Sequence, residues 1–199
     1  MELADAIHNR RAVRDYLPTP VNDQAIQRLI DAAIWALSAM NRQPWGFLVV
    51  RNRDVLDHAA AEAKHLLLKH MPADSPFARY RNILNDPAFH LFYNAPALIV
   101  VHTTIADSMP GLSSAEDCCL AAQNLMLAAH AFGLGTCWIG FARSWLAQTA
   151  TKEMFGVPSS WSPVAPVIIG EPRVLPDPVE RRTPPILWHP ARGEHLKPD

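Results

Sequence analysis

Cysteine is scarce in this 199-residue chain: Cys118, Cys119 and Cys137 are the only three. Two are adjacent and none forms a C-x-x-C pair, so neither a disulfide framework nor a thiolate zinc site is indicated. A reducing compartment is the simpler setting. Charge of one sign is lacking too. Eighteen Lys and Arg face nineteen Asp and Glu, a formal net charge of −1 with a pI near 6.7. That balance excludes the broad basic field on which general nucleic-acid and membrane-surface binders rely. No apolar run is long enough to span a bilayer: "APALIVV" is too short, and "CCLAAQNLMLAAHAFGLG" is interrupted by polar residues. The opening "MELADAIHNRR" sets acids and then arginines where a signal sequence is apolar. The expectation is a soluble, cytoplasmic protein.

Signatures of catalytic chemistry are equally thin. There is no G-x-x-x-x-G-K-[ST], H-E-x-x-H or G-x-S-x-G. "GLGTCWIG" (133–140) follows a helical pattern instead of opening one, so it is no dinucleotide fingerprint, and Gly133 or Gly135 reads as a helix C-cap. The nine histidines form no ligand-spaced cluster. His65 and His70 share a solvated face with Lys64 and Lys69, and His102, ending a buried strand, reads as a core histidine. Cys118 and Cys119 lie on the most apolar helix and read as small buried hydrophobes. Cys137, just after a glycine turn, is the more reactive candidate, although no base stands beside it in sequence. No catalytic dyad is legible. An enzyme built on this chain would draw its reactivity from a cofactor.

What is present is an ordinary core. With 49% hydrophobic and 19% charged residues, no repeat and no linker, residues 1–199 read as one α+β domain. Residues 2–9 predict a short helix. After "PTPVND", capped by Asn22 or Asp23, apolar residues recur at helical spacing from Ile26 to Leu37. "WGFLVV" predicts a strand, 53–70 a second helix, and "ALIVVHT" (97–103) a strand buried on both faces. The proline-punctuated 71–95 reads as loop with a helical turn or more. Ser114 caps a helix that is apolar nearly all round and must therefore be buried. "CWIGF" (137–141) and "VAPVIIG" (164–170) predict two further strands. The tail, 171–199, has no periodic pattern and is long enough to wrap over something.

Three polar sets remain. Arg10, Arg11 and Arg14 crowd "RRAVR", where guanidinium groups repel unless an anion sits among them; Arg10 and Arg14 project together if that turn is helical. Arginine suits a phosphate because its planar fork binds two oxygens and never loses its proton. Arg181 and Arg182 form a second pair in the tail. Taken alone, both sets read as solvated surface charge. "SAMNRQPW" (38–45) lies between a helix and a strand, where binding loops tend to sit. Ser38, Asn41 and Gln43 there supply donors and acceptors for the edge of a polar heterocycle, and Trp45 is either pocket wall or core.

The order of these pieces resembles the FMN-dependent nitroreductase family. Those chains begin with RRS-x-R-x-[FY], here "RRAVRDY" (10–16), and continue with P-S-x-x-N-x-Q-P-W, here "LSAMNRQPW" (37–45). A buried helix ending in G-L-G-[TS]-C-W-I-G follows, here "EDCCLAAQNLMLAAHAFGLGTCWIG" (116–140). An apolar strand closing in G-x-P and a basic tail come last, here "VIIGEP" (167–172) and "RRTPPILWH" (181–189). Any one element is weak; the ordered set is specific. The resemblance implies an α+β nitroreductase-like fold, with a central, mainly antiparallel sheet flanked by helices. It also implies an intertwined homodimer whose extended C-terminal tail reaches over the other subunit, with FMN at the interface.

By the same resemblance, Arg10 and Arg14 bind the phosphate and ribityl chain, with backbone contacts from Arg11 and Ala12. Arg182, or Arg181, completes the phosphate site from the tail. Ser38, Ala39, Met40 and Gln43 reach the flavin from the partner subunit, and Trp138, Ile139 and Gly140 flank its ring. Ala12 replaces the family's usual serine, a loss of about 1 kcal/mol for one hydrogen bond, and Leu37 stands where proline is common. The implied activity is a ping-pong cycle in which NAD(P)H and then a small organic acceptor (nitroaromatic, quinone or enone) occupy one face in turn. Specialised relatives of the fold, such as a reductive dehalogenase or a flavin-cleaving enzyme, are the alternative, and a non-catalytic FMN-binding protein is another. Acceptor selection is expected from 65–95, with Phe77, Tyr80, Phe89, Phe92 and Tyr93 as candidates.

Overall fold

The computed structural model describes residues 1–107 and 112–189; the last part of the expected tail, 190–199, lies outside them. α1 (Leu3–Asn9) is short and buries only Ala6. α2 (Asp23–Ala33) is capped by Asn22, whose side chain accepts the Ala25 N–H at 2.7 Å. The apolar pattern continues to Leu37, yet the helix stops at Ala33. Trp35 (85% exposed) and Leu37 meet no core within the chain, so periodicity there has nothing to pack against. α3 (Arg53–His70) fills its predicted span and is capped by Asn52.

Four strands, antiparallel throughout, form one sheet in the order β1 (Trp45–Val50), β2 (Ala97–Thr103), β4 (Ser162–Gly170), β3 (Gly135–Trp138). Central β2 is buried at every position, which explains its continuous apolar run. Ala97, Ile99 and Val101 pack on one side with α2 and α5 (Ser114–Ala131), while Leu98 and Val100 pack on the other with α3 and α6 (Arg143–Leu146). His102 is a core residue as expected: its Nδ1 lies 3.1 Å from the Val100 carbonyl, its ring packs 5.8 Å from Trp161, and burial lowers its pKa.

Two readings of α5 need correction. Ser113, not Ser114, accepts the capping N–H from Glu116, because the Ser114 hydroxyl donates instead to Asp107 at 2.6 Å. The helix is also not buried all round: Cys118, Ala121, Ala122, Leu125 and Ala129 face the core, but Cys119 and Leu120 are exposed. Cys118 is the small buried hydrophobe expected of both, its thiol pushed up to about 12 chiefly by burial.

β3 begins and ends earlier than expected, because the chain turns at Ile139 into a 3-10 turn, Gly140–Ala142, that leads into α6. Between α3 and β2 lie a 3-10 turn, Ala78–Tyr80, α4 (Arg81–Asn85), and left-handed Tyr93 and Asn94 (φ 51° and 55°). α7 (Thr149–Phe155) precedes β4. The tail stays on the body as far as Asp177, with the Arg173 N–H bonded to the Asp15 carbonyl at 3.1 Å. Further on it is irregular, and Leu187 and Trp188 are almost fully exposed. Among the described residues no helix is long and apolar enough to cross a membrane.

Candidate active site

From α1 the chain runs extended along the edge of β3. Ala12 pairs with Thr136, and the Val13 N–H donates to the Thr136 carbonyl at 2.9 Å. A Cβ on Gly135 would stand 2.7 Å from Val13 side-chain carbons, so glycine is what lets the two strips lie this close. The helical turn expected around Arg10 and Arg14 is therefore absent. Both charges nevertheless act on the Cys137 thiol, while Val13 is buried in the core. Arg11 turns away, donating to the His8 carbonyl (2.6 Å), the Arg10 carbonyl (3.0 Å) and the Asp177 carbonyl (3.3 Å). It thereby closes the C-terminus of α1 and pins the tail. Arg10 is half-buried, and its guanidinium makes no hydrogen bond among the described residues. Arg14 is exposed, 5.8 Å from the centroid of the Tyr93 ring.

Where β3 ends, a cavity of about 590 Å³ opens. Arg14, Trp138, Ile139 and Gly140 line one side of it. The Ile139 N–H is committed to the Pro166 carbonyl at 2.8 Å, whereas the Gly140 N–H, first in its turn, has no backbone acceptor among the described residues. The far side is aromatic: Phe77 and Tyr80 stand edge-on to Phe141 at 5.5 and 5.6 Å, and Phe89 is edge-on to Tyr93 at 5.4 Å. Four of the five aromatic candidates from 65–95 thus meet in one place. Phe92 does not, being fully buried in the core beneath. Cys137 borders the cavity but is buried, and burial raises its pKa against the pull of Arg14. It remains a protonated thiol, not the reactive group its glycine turn suggested.

The 38–45 loop is strained and anchored. Met40, Asn41 and Gln43 are all left-handed (φ 52°, 55° and 49°), a conformation that costs most at Met and Gln. The Ser38 hydroxyl accepts the Gln43 N–H (2.9 Å), Asp117 accepts the Ala39 N–H (3.2 Å), and Arg42 donates to Ser114 (2.9 Å) and Asp107 (3.1 Å). These bonds fasten the loop to the start of α5 and leave Met40 exposed. Trp45 packs with the α2–α5 core, so it is core and not wall. None of Ser38, Ala39, Met40 and Gln43 lines the cavity of its own chain. Arg181 and Arg182 are exposed in the tail, with no hydrogen bond or ion pair to the 10–14 strip among the described residues.

These residues fit a planar group with an anionic end. Guanidinium groups that meet no carboxylate among the described residues stand at one end and an apolar and aromatic cavity at the other, and the buried Thr136 Oγ1 and His130 Nε2 have no hydrogen-bond partner among the described residues. The model of the "Nitroreductase family" matches residues 7–171. The chain belongs to the nitroreductase family. An Archaeoglobus fulgidus protein named NADH dehydrogenase/NAD(P)H nitroreductase is 31% identical over 178 residues, 86% of each chain. A Rhodospirillum rubrum 5,6-dimethylbenzimidazole synthase is 30% identical over 177 residues, 82% of this chain and 79% of its own. The crystal structure of a nitroreductase with bound FMN from Desulfitobacterium hafniense superposes with a TM-score of 0.76 at 27% identity, covering 92% of this chain and 95% of that one.

Some of what shapes this nitroreductase-family cavity was not legible in the sequence. Lys64, read as part of a solvated face, donates to the Asp86 and Phe89 carbonyls at 3.0 and 2.8 Å. His90 Nδ1 accepts the N–H groups of Phe92 (3.1 Å) and Asn94 (3.3 Å), so its Nε2–H is the proton directed at Asp57, 2.9 Å away. Arg53 bridges Asp57 (2.7 Å) to Asn94. The Lys64, His90–Asp57 and Arg53–Asn94 partners lie 22 to 41 positions apart, beyond the reach of any local spacing rule.

Proposed function

We propose that this chain is the single-domain protomer of a cytoplasmic, homodimeric FMN oxidoreductase that uses NAD(P)H to reduce a small organic acceptor. The observation that carries this reading is the meeting of Arg14, which has no carboxylate partner among the described residues, the Trp138–Gly140 turn and an aromatic wall around one cavity. FMN, when bound, supplies the hydride exchange. Arg10 and Arg14 would neutralise its phosphate and orient its ribityl chain, with Arg181 or Arg182 added from the tail. Backbone at Arg11 and Ala12, and the free N–H of Gly140, would fix its depth. The rings of Phe77, Tyr80 and Phe141 would keep water from the exposed face and favour flat acceptors such as nitroaromatics and quinones, bound in turn after NAD(P)H leaves.

The dimer has its own support. Trp35, Leu37, Met40 and Leu120 are exposed, as are the tail residues Ile186, Leu187 and Trp188, and large exposed apolar side chains are what a subunit interface covers. A twin subunit would cover it and deliver Ser38, Ala39, Met40 and Gln43 to the flavin. The test is direct. The purified protein is expected to be yellow and to bleach when mixed anaerobically with NADH or NADPH. A relative bearing the name of a synthase makes the bleaching decisive, since a protein that binds flavin and is not reduced belongs to another reaction. Arg10→Ala and Arg182→Ala should each release FMN with the dimer intact by size-exclusion chromatography. If both stay fully yellow, the phosphate assignment is wrong.

A further inference from the structure

A second cavity, of about 650 Å³, adjoins the first and shares Arg14, Phe89 and Tyr93 with it. Strand register assembles it. Val50 pairs with Leu98 and Ala97 with Ile169, so Arg51, just after β1, and Arg173, just after β4, leave the same edge of the sheet. Arg53, at the start of α3, joins them. With Arg14, four guanidinium groups thus line one cavity against a single lining carboxylate, Asp15. The chain as a whole carries a formal net charge of −1, so the positive charge here is a local concentration.

Three of the four are steadied by carboxylates: Arg51 pairs with Asp23, Arg53 with Asp57 at 2.7 Å and Arg173 with Asp15 at 3.2 Å. Those pairs do not use the groups up. Among the described residues Arg51 bonds only through Nη1, to Asp23 and the Val21 carbonyl, and Nη1 of Arg173 makes no bond. Asp15 and Asp23 are themselves exposed, so water screens their pairs. Arg14 has no carboxylate partner among the described residues.

We infer that this cavity holds phosphate of the nicotinamide nucleotide that reduces the flavin. The inference rests on the proposed NAD(P)H-dependent activity. Several charged oxygens on one phosphate suit guanidinium forks, each able to bind two at once. The volume is that of an ordinary small-molecule site. The shared Arg14, Phe89 and Tyr93 wall sets the nucleotide's phosphate beside the cavity where its hydride is delivered. The chain has no glycine-rich phosphate loop; these arginines come from separate segments and meet only in the fold. The pyrophosphate, common to NADH and NADPH, and the 2′-phosphate of NADPH present the same chemistry, and the test tells them apart.

The test compares NADH and NADPH with N-benzyl-1,4-dihydronicotinamide, which delivers the same hydride and has no phosphate. Flavin bleaching is followed anaerobically by stopped flow. In Arg51→Gln and in Arg173→Gln, the nucleotide concentration giving half the maximal rate is expected to rise about tenfold, the size of one lost charge-assisted contact. The benzyl compound is expected to react as it does with the unaltered protein, and the flavin to stay bound. A rise with both nucleotides puts the pyrophosphate in the cavity; a rise with NADPH alone puts the 2′-phosphate there. Calorimetric titration with ADP and with adenosine 2′,5′-bisphosphate reads binding apart from turnover: the one bearing the bound group should lose affinity in both variants. Arg51→Lys, which keeps the charge, should recover part of the loss. If the variants move all three reductants alike, move none, or leave both adenosine phosphates bound as before, the inference falls, while bleaching by NAD(P)H upholds the proposed function. If the benzyl compound bleaches the flavin and neither nucleotide does, the proposed reductant is wrong and both fall.

Discussion

Residues 12–17 and residues 77–95 border the same cavity, yet they are held by different kinds of bond. The first strip is fixed by backbone: Val13 N–H to Thr136 O, Leu17 N–H to Glu171 O, Arg173 N–H to Asp15 O, with Gly135 making room. The second is fixed by side chains reaching to backbone from elsewhere: Lys64 to Asp86 and Phe89, Arg53 to Asn94, Arg81 to Met71, and the His90 ring inside its own turn. A backbone-held strip keeps its path whatever its side chains are, so it suits a constant ligand. A wall held by side chains changes shape with each substitution, so it suits the part of a site that selects among acceptors.

The largest expected effect comes from breaking the backbone-held side. Gly135→Ala places a methyl into Val13 and must push the strip outward, costing about 1–3 kcal/mol of stability and releasing flavin. Thermal unfolding and the visible spectrum measure the two losses, and an unchanged, yellow variant would show that the strip's closeness is immaterial. On the other side, Lys64→Met removes the donor from two carbonyls and should cost about 1 kcal/mol. Its signature is faster amide exchange confined to 86–95, with flavin retained. Exchange that accelerates equally over 12–17 would erase the contrast between the two walls.

Smaller still is the effect of Phe141→Leu, which deletes the ring that both Phe77 and Tyr80 meet edge-on. Aromatic pairs of this kind contribute about 0.5–1.5 kcal/mol. We expect KM for a quinone to rise several-fold while the rate of flavin reduction by NAD(P)H changes less; equal loss on both would place Phe141 in general packing.

The mildest prediction concerns pH. Burial lowers the His90 pKa despite the Asp57 carboxylate, and its Nδ1 already accepts two backbone N–H groups. For Asp57, burial pushes the carboxyl up, but Arg53 and His90 outweigh it and hold the group below the usual carboxylate range, so it stays ionised through mild acidity. A histidine whose folded pKa is depressed contributes stability that is fully present above its unfolded value, about 6.5, and is lost as pH falls through the folded one. Protonating Nδ1 breaks both bonds and frees the left-handed turn at Tyr93 and Asn94. Exchange of the Phe92 and Asn94 amides should therefore quicken as pH falls from about 6.5, the ordinary histidine value, through the lowered one, and His90→Gln should flatten that dependence. A slope identical in the variant would assign it to another group.

Local physics explains why so much was legible. Periodicity, caps and β-branched runs report short-range geometry, so the spans of α3, β1 and β2 and the cap of α2 follow from a few neighbouring residues. The Arg10–Tyr16, Ser38–Trp45 and Gly133–Gly140 motifs are legible because each is a continuous stretch of chain. Short-range rules misled where packing decides: α2 loses its last turn because Trp35 and Leu37 meet no core, and α5 keeps an exposed side at Cys119 and Leu120. The helical turn that would bring Arg10 and Arg14 together is not formed, because the chain there pairs with β3 instead.

By itself the sequence determined an α+β chain of this family, its ordered arginine and loop motifs, and the absence of a local catalytic dyad. Only the tertiary structure decided that Phe77, Tyr80, Phe89 and Tyr93 face one cavity while Phe92 is core. It likewise decided that Cys137 is a buried, protonated thiol. The physical reason is distance along the chain. Orphaned atoms, ring pairs and side-chain clamps are relations between residues far apart in sequence, and they come into existence only when the sheet closes over its two cores.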